Sequence, residues 1–319
     1  MYFPGSWLGS GWKIRYSEEV RRFGPRAKAY GALSLWCWLV APAAMSLAAS
    51  SISATGAQVQ AAATQDPAAL VRRAIQLRLQ EEKHHLPVEY VLRKKDGDHD
   101  TTKQIIETKD GDVARLMAIN GHALNAVQQK AEISRLNTLA ANPELQRKRQ
   151  RSEERDAARI DHLIQLLPDS EIYSLEGTVP CGAGECYRLS FVPNPNFNPP
   201  DFEAEVLQGF AGDLLIDRSQ NRLVRLNAHL VRDVNIGFGI LGRVDRGGTI
   251  LLEQSHEDLA QEWQPTVLKI NLQGRAVMVK AIHIRIDELA TDFKPVAAGM
   301  GYREAIALLK GSPEAAPGS

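Results

Sequence analysis

Cysteine is scarce in this chain: three in 319 residues, at positions 37, 181 and 186. That excludes a disulfide-dense small scaffold and leaves too few thiolates for a structural zinc centre, which takes about four Cys or His ligands. No C-x-x-C pair is present, so a thioredoxin-type redox motif is absent. An excess of one charge is also missing, with 38 Lys and Arg against 38 Asp and Glu. A balanced chain offers no broad attraction to nucleic acid. Neither a G-x-S-x-G elbow nor an H-E-x-x-H helix occurs, and with them go the commonest sequence signs of hydrolysis. One long apolar run is present and no second one, so no further membrane span is indicated.

That run, Ala29 to Ala49, follows Lys13, Arg15, Arg21, Arg22, Arg26 and Lys28 and precedes a stretch of small residues. Basic, apolar, then small is the order of a secretory signal peptide. Its apolar heart, Leu33 to Ala44, is 12 residues, short of the roughly 20 that span a bilayer. AQVQA, ending at Ala61, is a plausible cleavage context, and a start codon near Val20 would make the leader compact. Trp36 precedes Cys37 and the apolar run continues beyond it, which argues against lipidation there. The expectation is export to the periplasm or cell envelope. Removing the leader leaves 32 cations against 36 anions, since six cations and two acids precede Ala61.

Export bears on VPCGAGECYRL, Val179 to Leu189. Cys181 and Cys186 are the only cysteines after the leader, and in an oxidising compartment they are expected to pair. GAGE reads as a four-residue hairpin loop, so the pair reads as a hairpin staple, with a labile redox switch as the alternative.

Along the chain the period of the apolar residues changes. Asp66-Pro67 opens a helix carrying Leu70, Val71, Ala74, Ile75 and Leu77. PVEYVLRKK and KQIIETKDGDVARLMAING alternate as strands. Leu124 to Ala140 and Pro143 to Leu167 are helical, with Ile160, Leu163, Ile164 and Leu167 forming a stripe that Pro168 ends. From Ile172 to about Ile286 nearly everything reads as strand, six or seven of them, broken by the four-proline loop Val192 to Phe202. Val224, Leu226, Ala228 and Leu230 give the clearest alternation. This pattern predicts an α+β fold: one large curved antiparallel sheet, an open half-barrel, with helices packed on its concave, apolar side. Residues 1–60 are assigned to the signal peptide and leader, 61–310 to a single domain with a helical insertion over 122–168, and 311–319 to a disordered tail.

Several motifs invite chemistry and have plainer readings. Asp96, Asp98, Asp100 and Glu107 match calcium-loop positions, but Thr101 stands where that loop needs glycine, so a charged hairpin turn is expected. His84-His85 reads as a solvated helix end. RKRQR, Arg147 to Arg151, is followed by Glu153, Glu154 and Asp156 and reads as a solvated, self-neutralising helix face. Gly237, Gly239 and Gly242 are expected to bend a long strand. No metal and no cofactor is called for.

The stretch GDLLIDRSQNRLVRLNAHLVRDVNIGFGILGRVDRGGTILLEQ, then WQPTVLKINLQGRA and DFKPV, resembles secreted bacterial proteins related to outer-membrane lipoprotein-sorting proteins. The resemblance implies an open half-barrel covered by helices, with an apolar cavity that accepts acyl chains. Such a cavity would be lined by Val224, Leu226, Leu230, Ile236, Phe238, Leu268, Ile270, Ile282 and Ile284. It implies a non-catalytic periplasmic binding protein for lipid or an acylated, lipoprotein-like peptide, with only peripheral membrane contact. The alternative is an envelope module of the same fold that binds a protein partner and has a filled core.

Overall fold

The computed structural model describes residues 66–82, 84–276 and 280–311. The expected leader, its cleavage region, Cys37 and all of the expected tail except Gly311 lie outside the described residues.

Helix α1 (Pro67–Glu82) starts where Asp66 accepts a hydrogen bond from the Ala68 amide through its side chain, with proline in the first turn. Strands β1 (Val88–Asp96), β2 (His99–Ile106), β3 (Val113–Ile119) and β4 (His122–Ala123) follow as a meander. Asn125 and Gln128 form a reciprocal capping box at the start of α2 (Ala126–Ala141). Asn142 caps α3 (Pro143–Ser170) through the Leu145 amide. Pro168 lies inside that helix rather than ending it; in the last turn its missing amide removes a single helical bond. Nine strands come next: β5 (Glu171–Cys181), β6 (Gly184–Pro193), β7 (Phe210–Asp217), β8 (Leu223–Leu230), β9 (Val234–Ile236), β10 (Gly242–Val244), β11 (Thr249–Glu257), β12 (Glu262–Ala276) and β13 (Lys280–Pro295). Helix α4 (Tyr302–Gly311), which the sequence reading lacks, closes the described chain and takes in Gly311.

All thirteen strands belong to one antiparallel sheet, in the order β4-β3-β2-β1-β13-β12-β11-β8-β7-β6-β5. β9 and β10 branch from the far end of β12. The edge strands β4 and β5 do not pair, so the sheet is not closed into a barrel. The fold is α+β, as expected, with a large open antiparallel sheet carrying helices.

One row of side chains crosses the sheet in register. Leu189, Leu214, Leu226, Leu252 and Leu268 stand opposite one another on β6, β7, β8, β11 and β12. The row then meets Glu288 on β13 and Lys94 on β1, which form a buried ion pair at 2.8 Å. On the β5–β8 side, Leu70, Val71 and Ala74 of α1 pack against Leu189, Phe191, Leu214 and Ile216. At the other end, Leu136 and Leu139 of α2 and Ile306 and Leu309 of α4 cover Ile106 and Val113. A full aliphatic side chain buried in this way contributes roughly 1.5–3 kcal/mol.

Three local expectations are corrected. Cys181 stands opposite Gly184, so the hairpin loop is the two residues Gly182-Ala183, not four. Gly182, at φ 55°, supplies the left-handed turn. The Cys181–Cys186 disulfide is present across it, with Cα atoms 5.7 Å apart. The stretch around Gly237 is no continuous bent strand: β9 ends at Ile236, β10 starts at Gly242, and Phe238 itself takes φ 56° in the turn. The basic run on α3 is not solvated throughout. Arg149, Ser152, Glu153 and Asp156 are buried, because α3 presses this face onto the β2–β3 turn, where the Asp112 amide donates to Glu153 at 3.3 Å.

Because the disulfide closes so short a loop, its removal is expected to cost only about 2 kcal/mol. Urea unfolding of the paired substitution Cys181→Ser, Cys186→Ala checks this, with an unchanged slope and a lower midpoint.

Candidate functional site

Where α1 and α3 cross the β5–β8 part of the sheet they do not meet it everywhere. A cleft of about 150 Å³ remains between them. Its floor and walls are apolar: Val71, Ala74 and Ile75 from α1, Ile164 and Leu167 from α3, and Tyr173, Phe191, Leu214, Ile216, Leu223 and Leu226 from the sheet. Its other end is polar, built from Arg78, Glu81 and Glu82 at the end of α1, His85 just beyond, Arg222 before β8, and Gln254, Glu262, Trp263 and Gln264 on β11 and β12. The sequence places both ends by helical spacing. Val71, Ala74, Ile75 and Arg78 follow one face of α1 from the apolar to the polar end.

The polar end is tightly tied. Arg78 donates to Asp161 of α3 at 2.9 Å, and Arg222 pairs with Glu81 of α1. Burial lowers the Arg222 pKa, against the pull of Glu81. Burial likewise lifts Glu81, although Arg222 opposes that shift. His85 stands between two carboxylates, Nδ1 to Glu262 and Nε2 to Glu107, each at 2.6 Å. Those carboxylates also accept backbone amides, Glu262 from Leu86 at 3.1 Å and Glu107 from Val88 at 3.1 Å. Burial pulls the His85 pKa down, but the hydrogen bonds and charges of Glu107 and Glu262 outweigh it and set it at about 9. His85 is therefore a protonated clamp joining the α1–β1 connection to β2 and β12, not a solvated helix end. Its side chain is only 13% exposed.

The nine residues expected to line a cavity scatter. Leu226 lines the cleft. Leu230 and Ile236 pack in the core beneath α1. Leu268, Ile270 and Ile284 belong to a separate packed group with Ile286. Ile282 is half-buried opposite Gly274, and Val224 is half-buried as well. The pairing shifts register there, so Leu223 stands opposite Ile216 and lines the cleft in place of Val224. Phe238 is 93% exposed in the β9–β10 turn, with Ile240 and Leu241 exposed beside it. Among the described residues, Cys181, Cys186 and Asp217 come close enough to hold a metal ion, but the two thiols are consumed in the disulfide.

No family model matches the sequence. No curated protein matches it. Solved structures do. A DUF1329 family protein from Desulfovibrio piger aligns over 72% of this chain and 93% of its own, at 12% identity and a TM-score of 0.28. A LolA superfamily protein from Nitrosomonas europaea aligns over 73% and 94%, at 10% identity and 0.27. An outer membrane lipoprotein-sorting protein domain from Vibrio parahaemolyticus aligns over 75% and 99%, at 11% identity and 0.25. Two of the three, the LolA superfamily protein and the lipoprotein-sorting protein domain, are of the kind the sequence resemblance names. TM-scores this low leave the likeness without weight for ligand or mechanism. Among the described residues, no helix is long and apolar enough to cross a membrane.

Proposed function

We propose that this chain is a non-catalytic binding protein of the cell envelope that holds an amphiphile, a lipid or an acylated peptide, in the cleft between α1, α3 and the sheet. The observation that carries the reading is the cleft's division into an apolar length and a polar end. An apolar chain gains about 0.8 kcal/mol for each CH₂ it buries. A cavity near 150 Å³ holds a group the size of benzene, so the cleft receives about six carbon atoms as it stands. A longer chain requires α1 to move outward. No step in this reading breaks or makes a covalent bond, and the protonated His85 is held as a structural clamp rather than a free base.

Native mass spectrometry of protein purified from the periplasm without detergent tests the reading, with Ala74→Phe as the comparison. The phenyl ring of that variant occupies the cleft. The expected result is a bound lipid or acyl mass on the natural protein and its loss from the variant. A clean apo mass that takes up no added lipid would overturn the cleft reading.

A second reading, an interaction module for an envelope protein, is favoured by one observation. The β9–β10 turn presents Phe238, Ile240 and Leu241 to solvent while the sheet beneath it stays packed.

A further inference from the structure

At the polar end of the cleft, two buried donor nitrogens have no hydrogen-bond partner, Arg222 Nη1 and Gln264 Nε2, while Arg78 Nη2 makes no hydrogen bond but is ion-paired with Glu82 at 3.7 Å. All three residues line the cleft. Each arginine is fixed through another nitrogen, Arg78 by Asp161 and Arg222 by Glu81. Gln264 is 4% exposed in β12. A buried donor left without an acceptor costs roughly 1–3 kcal/mol, and two such donors in one cleft are the imprint of acceptors that a ligand supplies. Their charge setting narrows the choice. Glu81, Glu82 and Glu262 line the same end, and Asp161 and Glu107 stand behind them, each bonded to a lining residue. Five carboxylates thus face three cations, Arg78, Arg222 and His85. A further full negative charge is unwelcome here, and burial already holds Glu81 above the usual carboxylate range. A cationic head meets the carboxylates but leaves the donors unpaired and faces the arginines.

We infer that the cleft selects amphiphiles whose head is uncharged and rich in carbonyl or hydroxyl oxygen, such as a glyceride ester or an N-acyl amide, over fatty-acid anions and alkyl amines. The inference rests on the cleft reading above and adds the chemistry of the head. The donors are pre-organised: their side chains are ordered before the ligand arrives, so little rotamer freedom is lost on binding. The head lies against Arg222 and Gln264, and the chain runs toward Phe191 and Leu214.

Isothermal titration of the whole protein, stripped of bound lipid, with 1-monooctanoylglycerol, octanoate and octylamine tests this, because the three share a chain length and differ in the head. The glyceride is expected to bind about tenfold tighter than either of the others, the worth of one or two hydrogen bonds. In Gln264→Leu and in Arg222→Met that preference is expected to fall to about twofold, while octanol, whose lone hydroxyl meets at most one donor, keeps most of its binding through the apolar length. Retained octanol binding also shows that each variant is folded. Octanoate binding as tightly as the glyceride would overturn the head-group inference and leave the cleft reading standing. Equal binding of all three heads, or variants that keep the full preference, would do the same. Failure of octanol and all three probes to bind the natural protein would overturn the cleft reading, and this inference with it.

Discussion

His85→Leu is expected to destabilise the protein by roughly 3–5 kcal/mol, because removing one partner of a buried ion pair leaves the others uncompensated. Two carboxylates are stranded at once. Glu107 is 4% exposed, and Glu262 would keep only the Leu86 amide of the partners described above. At roughly 2–4 °C per kcal/mol for a domain of this size, the melting temperature should fall by about 10 °C. The same clamp makes stability depend on pH. His85 is raised from its ordinary 6.5 to about 9, so the folded state holds this proton more tightly than the unfolded chain. Its contribution is complete below pH 6.5 and disappears as the pH rises through about 9. Glu107 is also raised, by burial first, with His85 opposing. Its shift has the same sign but begins at the ordinary carboxylate value of 4.5. The His85 contribution to the unfolding free energy, measured in urea, should therefore fall by an amount on the order of 2–3 kcal/mol between pH 6.5 and 9.5. His85→Leu should lose this component and keep the titrations of Glu171, raised by burial to about 8, and Lys103, lowered by burial to about 8, so the clamp is read from the difference between the two proteins' curves. Parallel pH curves for the natural protein and His85→Leu would refute the clamp.

The second large effect is expected at Gly212, in the middle of β7. A Cβ added there would lie 2.0 Å from the carbonyl oxygen of Asn227 on β8. That neighbour is backbone of a paired strand and has no rotamer through which to yield. Gly212→Ala should cost about 3 kcal/mol, the upper end of ordinary overpacking, and should splay β7 from β8 beside the cleft wall made by Leu214 and Leu226. Gly97→Ala is the matched control. Gly97 sits in the β1–β2 turn at φ +58° with no atom within 4 Å of the added Cβ. Only the left-handed backbone penalty applies there, about 1–2 kcal/mol. Chemical unfolding of the two variants side by side should give the larger loss for Gly212→Ala. Equal losses would mean that β7 and β8 are free to separate.

Much of the fold is legible in the sequence because the two periods of the backbone are. Alternation through Val224 to Leu230 and the stripe Ile160, Leu163, Ile164, Leu167 need only local information. Helix α4 was legible too: Tyr302, Ala305, Ile306 and Leu309 recur at helical spacing and are buried, although the sequence reading passed over them. The cleft was much less legible, for two reasons. A register shift at the start of β8 exchanges Val224 for Leu223, and a period of two cannot announce where it slips. His85 takes its meaning from partners 22 and 177 residues away, and no spacing rule connects them. The basic run on α3 misled for the same reason: Arg149 and Glu153 do stand four apart, but the β2–β3 turn that buries them is distant in sequence.

The place of β13 in the sheet has a consequence for assembly. The last strand of the described chain is hydrogen-bonded between β1 and β12, with Val88 opposite Pro295. A chain made from its N-terminus therefore completes two separate hairpin arrays, β1–β4 and β5–β12, before the keystone that joins them exists. Loops this long close slowly, and native pairing across them is the costly part of folding. Until β13 docks, β1 and β12 each present an open row of amides and carbonyls, a template for pairing with a second unfinished chain. A truncation ahead of Lys280 removes one strand of thirteen, yet it divides the sheet in two.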